Sequence, residues 1–302
     1  MINALGPRIV HLRDSLAAEY GSNVADTEHQ ARTCTFERNS RIMASNRSCR
    51  DLWLARSLLN SALGGTLEGS KRMNRKTPGT MEEYLRSTKY CDSSDETIRV
   101  KVRNIAGSSC IPQEVAVKIF EYVRDTILFD AALDIRLPPS ETMKRKIVDY
   151  CNKVNLHVAL LRAAGIPARY HIVQVRKEAL RYFVPRFMYH FLPSPVGHFW
   201  CECYLSDRWI ACEALFDKRF YQGLLRLGYV THEQVPTIEW DGKSNLILLE
   251  EWYAEEKKIA ADYADLIRLS QQSGMPPYPI CKLFDRGAAF LSRRRTDRIR
   301  EQ

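Results

Sequence analysis

Three residue types that together can make or break an acyl bond occur in order along this chain: Cys151, His198 and Glu213. A cysteine attacks as its thiolate. A histidine can take the thiol proton and hand it to a leaving group, and a carboxylate can hold the imidazole in one orientation. Asp217 lies four residues beyond Glu213 and is a rival for the third role. The residue types alone also allow plainer readings. Free cysteines are commonly buried and inert, and either carboxylate could be a solvated strand end. His171 and His190 are the fallback bases. His157, six residues after Cys151, points elsewhere and reads as core or surface.

The elements that must position these groups are visible in the patterning. After Cys151, Val154, Val158 and Leu161 fall at i, i+4 and i+7, and Leu160 and Ala164 widen the stripe, which predicts a helix. Gly165 is placed to cap it and Pro167 to stop it. Arg169 to Val175 alternates and predicts a strand. The thiol is therefore expected at a helix N-terminus, where the dipole and free N–H groups favour a thiolate and lower its pKa. Downstream, Gly197 to Leu205 and Trp209 to Glu213 predict a hairpin joined by Ser206-Asp207-Arg208. His198, Trp200, Glu202 and Tyr204 share one face of its first strand. Phe199, Cys201, Cys203 and Leu205 share the other, which is expected to be core. A carboxylate on the second strand can then lie beside a histidine on the first.

Taken together, CNKVNLHVALLRAAGIPAR at 151–169, His198-Phe199-Trp200-Cys201-Glu202-Cys203-Tyr204-Leu205 and Trp209 to Glu213 resemble the transglutaminase-like cysteine enzymes. Ile119 to Ile127 resembles the family's preceding helix, and the likeness spans Tyr84 to Glu250. The resemblance implies an α+β fold: a transglutaminase-like, papain-like core with the nucleophile helix packed on an antiparallel sheet, flanked by helical N- and C-terminal segments. It makes Cys151 the nucleophile and His198 the general base, and the third member, usually Asp, falls at Glu213. Two positions depart from the family pattern. Asp149 and Tyr150 precede Cys151 where a glycine is usual, and Glu213 is one methylene longer than Asp.

The implied activity is acyl transfer, or amide or peptide hydrolysis, through a thioester on Cys151. The backbone N–H of Cys151 is one candidate oxyanion donor. The implied partner is an amide, ester or thioester substrate, peptide-borne or carried by a protein. The alternative is a transglutaminase-like binding scaffold without catalysis. No cofactor is implied, and no calcium loop of the D-x-[DN]-x-[DN]-G type is present. Cys201, Cys203, Cys212 and His198 could be read as zinc ligands. Their spacing is not that of a paired-knuckle zinc site, so no metal is expected. Arg162 and Arg169 are expected to brace the helix–turn–strand.

Composition bounds the rest. The 302 residues, 45% hydrophobic and 27% charged, suit a soluble globular protein able to bury a core. No apolar run reaches the ~18 residues of a membrane span, and the N-terminus lacks a signal-peptide h-region. Nine cysteines without framework spacing point to a reducing, cytoplasmic setting. The net charge of +9 is concentrated at 31–77 and 282–302, which read as solvated basic flanks more than as a nucleic-acid platform. Three segments are expected: a basic, partly helical extension at 1–80, a catalytic domain at 81–250, and a helical extension with a basic tail at 251–302. The long excursion at 176–195 is expected to form a binding loop or a packed insertion.

Overall fold

The computed structural model describes residues 81–130, 136–182, 184, 189, 190, 194–272, 290 and 292–302, all within the unit Leu52–Gln302. The expected extension at 1–80 lies outside the described residues, as does most of the 183–193 stretch.

Chain order runs α1 (Glu96–Ala106), α2 (Pro112–Thr126), β1 (Leu128–Phe129), α3 (Pro139–Arg145), β2 (Ile147–Val148), α4 (Tyr150–Ala163), β3 (Ala168–Val175), β4 (Val196–Leu205), β5 (Arg208–Ala211), α5 (Lys218–Arg226), β6 (Tyr253–Ala260) and α6 (Tyr263–Gln272). Residues 292–300 form a last helix, α7. The main sheet is antiparallel in the order β5-β4-β3-β6, and β1 and β2 form a small parallel pair. With α4 laid against β4 and β3 and walled by α1, α2 and α3, the fold is α+β.

Sequence explains α4 end to end. Asp149 is its N-cap and accepts a hydrogen bond from the Asn152 N–H at 2.8 Å. At the other end Gly165 takes a left-handed φ of 73°. Its N–H donates to the Arg162 carbonyl, and that of Ile166 to the Leu161 carbonyl, the paired bonds of a Schellman stop. The apolar stripe suggested a helix with one wet face, but every residue from Cys151 to Arg162 is buried. Its polar side chains therefore need internal partners. Lys153 Nζ donates to the Arg124 and Leu215 carbonyls at 3.1 and 3.0 Å. Asn155 links the Tyr90 carbonyl to the Tyr170 hydroxyl. Arg162 donates to the carbonyls of Arg86, Ala168 and Ala261, bracing the helix–turn–strand as expected.

The β4–β5 hairpin turns tighter than the sequence suggested. Two residues, Ser206 and Asp207, make the turn at φ 49° and 60°, the doubly left-handed turn that matches strand twist. The start of the segment expected as a helical extension at 251–302 also differs. Its first part is β6, paired to β3 with two register shifts, and only then does α6 begin. The open edge of β3 supplies backbone partners, and those outweigh the helix preference of Ala, Glu and Lys.

Candidate active site

The β4–β5 hairpin brings His198 and Glu213 together. Glu213 follows β5 and is held by its N–H bond to the Leu246 carbonyl. Its Oε1 lies 2.7 Å from His198 Nε2, and its Oε2 accepts from the Leu248 N–H at 2.6 Å. Both side chains are buried. A carboxylate only accepts, so His198 Nε2 carries the proton and donates. In the neutral ring Nδ1 is then left as the acceptor, the form a general base needs.

Asp217, the rival third member, is engaged elsewhere. Its Oδ1 caps α5 by accepting from the Phe220 N–H at 2.9 Å, and its Oδ2 pairs with Arg300 at 2.9 Å. His171 Nδ1 contacts Glu202 at 2.7 Å, and Glu202 is also paired with Arg169.

Cys151 is the second residue of α4 and is 5% exposed. Among the described residues no hydrogen bond joins its thiol to His198. The side chain stacked on His198 is that of Tyr150, with ring centroids 5.3 Å apart and 29° between planes. Its hydroxyl donates to the Gly197 carbonyl at 3.0 Å and also reaches the Cys151 thiol. Successive helical residues diverge by roughly 100°, and it is the ring of Tyr150 that lies on the face of the imidazole. That divergence is the signal in the sequence from which the place of Tyr150 could have been read.

The sequence reading expected a lowered thiol pKa. The opposite holds: burial first, and then the Asp149 carboxylate, push the Cys151 thiol well above its usual range. The hydrogen bond with Tyr150 pulls the other way without offsetting them. The carboxylate that caps the helix thus opposes the dipole that the thiol was expected to exploit. Beside His198 lies a small hollow of about 30 Å³, lined by Tyr150, Gly197 and apolar Phe129, Val175, Leu180 and Leu249.

A buried helix on an antiparallel sheet, with a histidine–carboxylate pair at the helix start, defines the transglutaminase-like class of folds. Residues 101–214 match the family model described as the transglutaminase-like superfamily, and this stretch is a transglutaminase-like domain. The match takes in Cys151, His198 and Glu213. No curated protein matches the chain. Among solved structures, the chain is similar to a candidate cysteine protease from Cytophaga hutchinsonii, at 18% identity and a TM-score of 0.35. That alignment covers 46% of this chain and 43% of the other, so the chain spans less than half of that protein's length. Among the described residues no helix is long and apolar enough to cross a membrane.

Proposed function

We propose that the chain is a thiol-dependent acyltransferase or amidase working through a thioester on Cys151. The observation that carries this reading is the buried His198–Glu213 pair, clamped by the Leu248 N–H. Burying such a pair costs several kcal/mol of desolvation per ion, and an apolar pair would serve packing as well. In the proposed reaction Tyr150 leaves the imidazole and Nδ1 takes the Cys151 proton. The thiolate attacks an amide, ester or thioester carbonyl, and His198 protonates the leaving amine, alcohol or thiol. Water or an amine then takes the acyl group and the thiol is regenerated.

A second reading is a binding scaffold without catalysis. It is favoured by the Tyr150 ring on His198 and by the raised thiol pKa. Intact-mass analysis after incubation with glutaminyl peptide, ester and thioester donors separates the two. A mass gain mapped to Cys151 and lost in Cys151→Ser supports the enzyme. No acylation in the native chain or in Tyr150→Gly, with both folded, supports the scaffold.

A further inference from the structure

Two thiols and an imidazole converge at a place the proposed reaction does not use, with a third thiol next along the strand. Cys201 and Cys203 are two apart on β4 and leave the same face of the pleat. Cys212 is drawn alongside by its N–H bond to the Cys201 carbonyl at 2.9 Å. His157 comes from α4 above the sheet. The ligating atoms of His157, Cys201 and Cys212 lie within 4.8 Å of one another. The Cys203 thiol, on the same face of β4, lies outside that 4.8 Å group. None of the four residues is more than 1% exposed.

A second observation points to a ligand. His157 Nε2 is buried without a hydrogen-bond partner, whereas Lys153, Asn155 and Arg162 on the same helix are all paired. Such an orphan gives up its hydration on folding and gets no hydrogen bond in return. A small cavity lies beside it, lined by His157 and Cys212 together with Val123, Ala214 and Leu215.

We propose that His157, Cys201 and Cys212 bind a thiophilic metal ion, zinc first, with Cys203 as the fourth ligand. Thiolate sulfur and imidazole nitrogen are the donors that zinc takes in closed structural sites. Tetrahedral ligation at the usual Zn–S length puts sulfurs roughly 3.7 Å apart. The 4.8 Å spread of the three therefore has to contract by about 1 Å on binding, and Cys203 has to move further. Each thiol that ligates releases its proton to solvent, and no redox step is involved. The ion ties α4, which carries Cys151, to the strand that carries His198. The inference does not depend on the proposed reaction.

The test titrates the purified full chain, treated with chelator under reducing conditions, with cobalt(II) and then with zinc. Expected are one equivalent bound, a sulfur-to-cobalt charge-transfer band that zinc abolishes, and a higher melting temperature with either ion. Cys212→Ser and His157→Ala should weaken binding at least tenfold, Cys203→Ser should reduce the band, and Cys110→Ser should leave it unchanged. If the core variants fail to fold, the native titration decides. Absence of the band in the native chain, or a full band in folded Cys212→Ser, overturns the proposal and leaves the thiols as small packed residues.

Discussion

At the scale of single residues, the site turns on which side chain meets the imidazole. With its thiol buried beside Asp149, Cys151 should react with iodoacetamide more slowly than exposed Cys110 at pH 7–8. Tyr150→Gly should speed labelling of Cys151 severalfold. Peptide mapping over a pH series reads both rates, and labelling of Cys151 ahead of Cys110 would refute the burial argument. Glu213 and Asp217 should separate as cleanly. If the proposed reaction runs, Glu213→Gln should lower turnover by up to ~10⁴, since the His198 tautomer loses its anchor. Asp217→Ala should leave turnover nearly unchanged while destabilising the chain by about 1–2 kcal/mol, because it removes a helix cap and the partner of Arg300. Urea denaturation beside an activity assay distinguishes the two.

At the scale of elements, α4 carries its own pH signature. Burial lowers the Lys153 pKa from 10.5 to about 7. Between those values the unfolded chain binds a proton that the folded chain lacks, so this site's contribution to stability rises with pH across that window. Below pH 7 the full penalty applies. The buried thiols of Cys91, Cys151, Cys201 and Cys212 have raised pKa values and act oppositely above about pH 9. Relative to Lys153→Met, the native chain should therefore gain about 2–3 kcal/mol between pH 6 and 9, measured by urea melts at both values. The start, stop and partner strand of α4 were legible because Gly165, Pro167 and the alternation of 169–175 act locally. β6 was not legible. Its Ala-Glu-Glu-Lys-Lys run prefers a helix, and only the edge of β3, distant in sequence, makes it a strand. The hairpin and the Glu213–His198 pairing could be anticipated from alternation. The facing of Tyr150 depends on one step of helical phase, which apolar periodicity leaves open by about a residue.

At the scale of the whole molecule, α7 fastens the domain. Arg300 donates to Asp217 at the start of α5 and to the Phe129 carbonyl at 2.8 Å, and Phe129 walls the hollow beside His198. α5 meets α7 so closely that a Cβ on Gly223 would stand 1.8 Å from the Ile299 carbonyl oxygen. Gly223→Ala should therefore displace α7, cost about 1–3 kcal/mol and speed tryptic cleavage after the arginines at 293–300. A native melting temperature with unchanged digestion would show that the helices slide apart freely. The Arg300–Phe129 bond spans 171 positions of sequence. Such a closure is paid in loop entropy before any contact rewards it. During synthesis on the ribosome, the sheet and α4 can assemble while later residues are still being made. The wall at Phe129 gains its last tie only once residue 300 has emerged. Until then the Phe129 carbonyl lacks its Arg300 donor, and that corner of the domain is the last to be tied down during synthesis.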